Sequence, residues 1–141
     1  MQLTTAQTIV AEALRLARSH NMKPLAVVVL DARGAIRAAA SEDATSLHRF
    51  DVAHGKAYGG IALGMSSRTI MQRAEKQAYF VAAMSHITGG RMVPVPGGVL
   101  IRDAKGTLLG AVGISGDTSE NDESCCCAGI AAAGLVAETG A

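Results

Sequence analysis

The sequence predicts an α+β fold, in which one antiparallel sheet carries helices on its faces. Two apolar segments about seventy residues apart each form a hairpin, which indicates a single sheet. Helical patterns occur before, between and after these hairpins. The predicted order of elements is α-ββ-αα-βββ-α, so every helix is free to cover the sheet. Because the chain has no linker or low-complexity segment, we expect residues 1–141 to form one domain.

The first helix is predicted from an amphipathic pattern near the start of the chain. Thr4 and Gln7 have the spacing of a capping box, and small or aliphatic residues then recur at helical spacing as far as about 20–21. Pro24 follows closely, and proline cannot continue a helix because it has no backbone N–H. The helix is therefore expected to end before Pro24.

The two hairpins share one design. Each consists of an apolar strand, a turn of the pattern Asp-Ala-basic-Gly and a second strand, with glycine at the position suited to positive φ. These segments are 25–30, 31–34 and 35–41 in the first hairpin, and 99–102, 103–106 and 107–114 in the second.

A helical block from about 46 to 87 separates the hairpins. Gly64 interrupts it, and Ser66 and Ser67 can cap a second helix that ends at Gly89. The block therefore predicts two helices.

The last helix is predicted to begin in the acidic segment 117–123. Thr118 or Ser119 supplies the N-cap, and carboxylates in the first turn complement the helix dipole. The apolar pattern continues the helix through 131–137. Three adjacent cysteines, 125–127, lie on this helix, where consecutive side chains point about 100° apart and cannot converge on one metal ion. We expect them to fill space in a reducing compartment, with a reactive thiol as the alternative.

Composition excludes several classes of protein. A net charge of +1 and 3% aromatic residues give no surface for nucleic acid. The longest apolar runs fall far short of the roughly 20 residues of a membrane span, and the N-terminus lacks the pattern of a signal peptide. The sequence therefore predicts a cytoplasmic protein with neither nucleic acid nor a membrane as partner.

The segment 89–98 is the strongest candidate for a binding surface. Gly89-Gly90 and Gly97-Gly98 bracket two prolines, and glycine lets the backbone turn sharply and come close to a ligand. On this basis Gly97 and Gly98 are predicted to contact a ligand. The alternative is that these residues only introduce the next strand.

Arg91 lies inside this segment and is the strongest candidate for anion binding. A guanidinium group beside exposed backbone N–H groups can bind a carboxylate with two parallel hydrogen bonds. Arg91 could equally form an ion pair with Asp117 or Glu123. Glu123 is, in addition, a candidate proton acceptor.

His54 is the second candidate for chemistry. It follows Asp51 by three residues, so the carboxylate could orient the imidazole and raise its basicity. The pair could supply a base or a metal ligand, or it could be a surface or subunit-interface pair. Because no further residue completes a metal-binding spacing, no metal site is predicted. Lys56 is interpreted as a solvated or subunit-contact lysine.

Four motifs identify a family resemblance that covers nearly the whole chain. They are DVAHGKAYGG (51–60), GMSSR (64–68), GGRMVPVPGGVLIRD (89–103) and GAVGISGDTSENDE (110–123). Together they resemble the GlcG/HbpS-like haem-binding proteins, a family that includes the C-terminal domain of PduO. The resemblance implies a profilin-like fold, with a five-stranded antiparallel sheet between helices, and assembly into homo-oligomers. One stretch departs from the family: many relatives carry Arg-Met-Asp-Gly after the second strand, where this chain has Ser41-Glu42-Asp43-Ala44.

The resemblance implies haem or another tetrapyrrole as ligand, or a small organic acid. The first interpretation is thus an oligomeric protein that binds such a ligand beside 89–98. The alternative is an isomerase, tautomerase or hydrolase of organic acids, in which Arg91 anchors the substrate and His54 or Glu123 moves a proton. A third is an assembly partner without a ligand. Side chains able to ligate haem iron are His20, His54, Tyr58, Met65, His86 and Met92.

Overall fold

The computed structural model describes all 141 residues, which form five helices and a five-stranded antiparallel sheet. The elements are α1 (Leu3–Ser19), β1 (Ala26–Asp31), β2 (Ile36–Ser41), α2 (Arg49–Leu63), α3 (Ser67–Lys76), α4 (Ala78–Ile87), β3 (Gly98–Arg102), β4 (Leu108–Ser115), α5 (Ser119–Ala132) and β5 (Val136–Glu138). The strand order across the sheet is β2-β1-β4-β3-β5. The α+β class and the five-stranded antiparallel sheet expected from the sequence are confirmed.

Both predicted hairpins form, and each turn is built around its aspartate. Asp31 Oδ1 accepts hydrogen bonds from the backbone N–H groups two and four residues later, and Asp103 Oδ1 does the same. Gly34 and Gly106 have φ angles of 86° and 84°, a region that strains other residues. The repeated Asp-Ala-basic-Gly pattern thus specifies the two turns locally.

The sheet lies between two layers of helices. Because side chains alternate along a strand, Val27 and Val29 face α1 and α5, whereas Val28 and Leu30 face α2. The central strands are therefore buried on both faces. In β1 all six consecutive residues are buried. None of the helices combines the length and the apolar character needed to cross a membrane.

The predicted helix boundaries hold at three places. Gly64 ends α2 in the left-handed region, with φ 69°. Ser66 caps α3 by accepting a hydrogen bond from the Thr69 N–H, and Thr118 caps α5 by accepting one from the Asn121 N–H. The capping box at Thr4 is wrong, because the N-cap of α1 is residue 2 and no side chain caps it.

Two element predictions are wrong because tertiary contacts decide them. The block 46–87 gives three helices in place of two, because the part after Gly64 is divided at Gln77. There the chain leaves the helical region, Arg73 Nε donates to Gln77 Oε1, and the Arg73 guanidinium lies over Phe80. The last helix ends at Ala132, and the fifth strand, expected before this helix, follows it as β5 and pairs with β3. The order is therefore α-ββ-ααα-ββ-α-β.

The three cysteines pack inside the fold. Cys125 and Cys126 are buried, Cys127 is half-buried, and all three are free thiols. Burial raises the pKa of Cys125 to about 11, and it raises the pKa of Cys126 and Cys127 as well. Their burial agrees with the expected space-filling role, and the raised pKa values favour the thiol over the thiolate that a reactive cysteine needs.

The turn after β2, residues 41–44, has an unusual backbone. Ala44 has a φ of 70°, a conformation that glycine adopts freely and that costs an L-residue about 1–2 kcal/mol. Glu42 accepts a hydrogen bond from the Leu25 N–H and pairs with Arg18 at 2.8 Å. The carboxylate of this turn is therefore engaged in holding β1 and α1 together.

Candidate functional site

The segment after α4 crosses α2 at two glycines. A Cβ atom on Gly59 would lie 2.6 Å from Met92 Cγ, and one on Gly55 would lie 2.6 Å from Val93 Cγ2. The Val93 N–H also donates to the Gly55 carbonyl oxygen at 3.1 Å. No larger residue fits at either position without displacing the segment. This close crossing fixes the backbone next to Arg91.

Arg91 extends from this crossing over the ring of Tyr58. Its Cζ atom lies 4.4 Å from the ring centroid, and its Nε donates to the Thr88 carbonyl oxygen at 3.0 Å. The ion pairs considered from the sequence do not form. Asp117 accepts hydrogen bonds from the Lys23 N–H and the Asn121 side chain, and Glu123 pairs with Arg68. The two terminal nitrogens of Arg91 make no hydrogen bond with the protein and are available to an anion.

His54 is stacked between two aromatic rings on α2. The ring centroids of Phe50 and His54 are 6.1 Å apart, and those of His54 and Tyr58 are 5.4 Å apart. We call Phe50, His54 and Tyr58 the aromatic column. Phe50 and Tyr58 lie one helical turn before and after His54, so the two rings stack on the imidazole from either side. Neither ring nitrogen has a hydrogen-bond partner in the protein, so the edge of the imidazole can meet a ligand.

The surroundings of His54 favour the neutral imidazole. Burial and the positive charge of Arg91 lower the pKa of His54 below its usual value, and Asp51 offsets this only in part. The predicted orientation of His54 by Asp51 is wrong, because Asp51 Oδ2 lies 2.8 Å from His48 Nδ1. Asp51 has a histidine three residues away on each side, and its hydrogen bond is with His48.

The column faces an uncovered part of the sheet. The ring of Tyr58 lies close to the β1–β2 turn, since a Cβ atom on Gly34 would be 3.1 Å from Tyr58 Cε2. α2 packs on β1, β3 and β4, so the edge strand β2 keeps its side chains on this face exposed. We call the aromatic column, Arg91 and the exposed face of β2 the shelf. The side chains of β2 that belong to it are Ile36, Ala39 and Ser41.

The shelf is an open surface. The two cavities of the structure have volumes of about 220 and 350 Å³, one beside α3 and the other between α1 and β2, and neither is lined by His54 or Arg91. No three side chains of His, Cys, Asp or Glu are grouped so that they could hold a metal ion.

Gly97 and Gly98 are buried at the inner end of the segment. A Cβ atom on Gly97 would lie 2.9 Å from Lys56 Nζ, and Gly98 packs against the backbone of Lys56 and donates its N–H to Ser67 Oγ at 2.7 Å. Their absent side chains thus allow β3 to begin close to α2. The ligand contact predicted for these two glycines stays a prediction.

Lys56 and Asp122 form a buried ion pair beside Gly97. Lys56 Nζ lies 3.1 Å from Asp122 Oδ2 and donates to the Ile114 carbonyl oxygen at 2.9 Å, and the two charged side chains are only 3% and 2% exposed. The interpretation of Lys56 as a solvated or subunit-contact residue is wrong. The space left by Gly97 and Gly98 lets the lysine side chain run inward to α5.

Glu123 lies in a second ion pair, between α5 and α3. Arg68 binds it with two nitrogens, Nε to Oε2 at 3.1 Å and Nη2 to Oε1 at 3.0 Å. The structure therefore does not bring Glu123 together with Arg91. Its role as a proton acceptor stays a prediction.

The sequence analysis missed the aromatic column. The chain has two Phe and two Tyr, so half of its four aromatic residues flank His54 at a distance of four positions on one helix. Residues four apart on a helix are neighbours. This spacing is the signal that could have identified the site.

Comparisons with known proteins agree with this fold. The sequence matches the family described as haem degrading protein HbpS-like over residues 1–131. The crystal structure of a PduOC:heme complex superposes with a TM-score of 0.87 over 98% of both chains at 21% identity. Klebsiella pneumoniae protein ORFY gives 0.83 at 21% identity, covering 95% of this chain and 90% of its own. A double mutant of HbpS from Streptomyces reticuli gives 0.78 at 20% identity, covering 93% and 85%.

These results differ in what they establish. Identities near 20% show a shared fold. No curated protein matched the sequence. The family match is decisive for membership, since it spans all but the last ten of the 141 residues. The chain belongs to the HbpS-like family.

Proposed function

We propose that the protein binds haem or a related tetrapyrrole, or a small organic acid, at the shelf. The observation that carries this proposal is the position of Arg91, whose guanidinium lies over Tyr58 with both terminal nitrogens free, at the end of a column that contains His54. Family membership and the heme in the PduOC structure support a tetrapyrrole in particular.

The donor set of the shelf fits haem. The iron of a haem is commonly held by a neutral histidine nitrogen, and His54 offers a neutral imidazole edge without a protein partner. Arg91 offers two N–H groups to a propionate, and Ile36 and Ala39 offer apolar surface to the macrocycle. Bound haem would supply an iron centre that can change oxidation state.

A second candidate function is proton transfer on a small organic acid. The same two side chains favour it, because Arg91 can anchor a carboxylate while His54, with its lowered pKa, stays unprotonated near neutral pH and can accept a proton. Glu123 is held by Arg68, so His54 is the stronger candidate for the base. In this version the protein is an isomerase, tautomerase or hydrolase.

Titration with haemin tests the proposed function. The wild-type protein should shift the Soret band, and His54→Ala should alter the bound spectrum and weaken binding by about tenfold. His48→Ala is the matched control, because His48 lies on the N-terminal side of the same helix, is exposed and pairs with Asp51. A wild-type protein that leaves the spectrum of haemin unchanged rules out haem. Equal spectra for wild type and His54→Ala assign the iron to another side chain.

We also propose that the protein is a homo-oligomer. α4 packs mainly on α3 through Val81, yet its opposite side is apolar as well. On that side Tyr79 and Ile87 are 73% and 70% exposed. The exposed positions recur at helical spacing and are Ala78, Tyr79, Ala82, Ala83, His86 and Ile87. A helix that is apolar all round is usually buried, and a second copy of the chain would cover this one.

Sedimentation measures the oligomer directly. We expect a species larger than the 14.4 kDa chain at micromolar concentration, and Tyr79→Glu combined with Ile87→Glu should shift it toward the monomer. Leu47→Glu is the control, since Leu47 is 83% exposed but lies outside α4. A wild-type monomer contradicts the proposal, and an unchanged oligomer in the α4 variant moves the interface elsewhere.

We propose a cytoplasmic location on the basis of cysteine chemistry. The chain keeps three thiols, all free, and Cys127 is only half-buried. Free thiols are typical of a reducing compartment.

A further inference from the structure

We propose that Tyr58 is a positioning residue of the shelf, which holds the guanidinium of Arg91 in place and connects it to His54. This inference rests on the proposed function only in giving Arg91 and His54 a ligand. The ring of Tyr58 contacts both side chains, with 4.4 Å from its centroid to Arg91 Cζ and 5.4 Å to the His54 centroid. No other side chain makes a ring contact with both.

The contacts of Arg91 show what the ring contributes. The backbone at Met92 and Val93 is fixed by the crossing over α2, and Nε is taken by the Thr88 carbonyl oxygen. The residue is otherwise exposed, and Tyr58 supplies the one aromatic face on which the guanidinium lies. Because Nε is already hydrogen-bonded, only the two terminal nitrogens can bind a carboxylate. The direction of their N–H groups depends on the plane of the guanidinium, which stacking on Tyr58 determines.

Tyr58 itself is held firmly. It is half-buried at the margin of the core cluster beneath α2, and Gly34 leaves room for its ring edge. Its hydroxyl makes no hydrogen bond with the protein, so the ring alone supplies the contact. Phenylalanine should therefore replace tyrosine without loss, whereas leucine keeps apolar volume but removes the aromatic face.

NMR of the ligand-free protein provides the first test. In Tyr58→Leu we expect the Arg91 Nε–H to lose order on the ps–ns timescale, and the pKa of His54 to rise as the covering ring is lost and the cation leaves it. The charged groups that act on His54 are Arg91, which lowers this pKa, and Asp51, which raises it. Tyr58→Phe should reproduce the wild-type order and the wild-type pKa. An Arg91 side chain that is equally ordered in Tyr58→Leu overturns the proposal.

Haemin titration provides the second test. We expect binding to weaken at least fivefold in Tyr58→Leu and by less than twofold in Tyr58→Phe. Val136→Ala is the control, since Val136 is exposed on β5, at the opposite edge of the sheet from β2, and its replacement should leave both readouts unchanged. If the wild type binds no haemin, the proposed ligand fails while the NMR measurement still decides the role of Tyr58. If the wild type binds haemin and Tyr58→Leu binds it equally well, the positioning role is wrong.

Discussion

Replacing Lys56 by methionine is expected to lower the free energy of unfolding by about 3–5 kcal/mol. Methionine matches the length and apolar character of the lysine stem, so the change removes mainly the ammonium group. It leaves the Asp122 carboxylate buried without its cation and the Ile114 carbonyl oxygen without its donor. Denaturation by urea at pH 7 measures the loss.

A surface ion pair gives the control for this measurement. Arg102 and Glu138 join β3 to β5, and their side chains are 27% and 40% exposed. Because exposed pairs contribute about 0–1 kcal/mol, Arg102→Met should cost much less than Lys56→Met. Equal losses of unfolding free energy in the two variants would show that burial does not increase the contribution of the Lys56 ion pair to stability.

The pH dependence of the Lys56→Met variant follows from Asp122. Burial raises the pKa of this carboxyl, whereas Lys56 acts to lower it, so removing Lys56 should raise the pKa further. A folded pKa above the unfolded value of about 3.9 means that the folded state binds the proton more tightly. Stability of the variant relative to wild type should therefore recover as the pH falls through the folded pKa toward about 4. If the difference in unfolding free energy between wild type and Lys56→Met grows as the pH falls, this account is wrong.

The hairpin turns and the Lys56–Asp122 ion pair together show why the sequence predicted the fold but only part of the site. The hairpin turns are local, since each aspartate bonds to residues two and four positions later, and the sequence predicted them. Lys56 and Asp122 lie 66 positions apart, and each has a simpler local interpretation, as a solvated lysine and as a carboxylate of a helix start. Only the fold, in which the Lys56 side chain passes Gly97 and reaches the start of α5, shows that the two meet.

The same contrast holds within the shelf. Arg91 was predicted from the glycines and prolines around it, and its terminal nitrogens are free. The partner of its guanidinium is Tyr58, 33 positions earlier, which no local pattern links to it. Two elements were missed for a similar reason. A side-chain contact determines the break at Gln77, and the pairing with β3 determines the strand β5.

Replacing Arg91 is expected to have the largest effect on ligand binding. A carboxylate held by both terminal nitrogens gains two charge-assisted hydrogen bonds, each about 1.5–3 kcal/mol. Arg91→Ala should therefore weaken haemin binding by about a hundredfold, and Arg91→Lys by about tenfold, equivalent to about 1.4 kcal/mol, because lysine cannot form the paired contact. Oligomer size and melting temperature should stay unchanged. Arg33→Lys is the control, since Arg33 is 86% exposed in the β1–β2 turn.

The dimethyl ester of haemin separates anion binding from general support of the shelf. The ester keeps the macrocycle and the iron but has no free carboxylate. Wild type and Arg91→Ala should therefore bind the ester with similar affinity. That affinity should be close to the affinity of Arg91→Ala for haemin. If Arg91→Ala weakens binding of haemin and of its ester equally, the guanidinium acts by shaping the surface beside Tyr58. If the variant loses melting temperature while its affinity for haemin is unaltered, Arg91 is a structural residue that anchors the end of α4 through Thr88, and the ligand binds elsewhere.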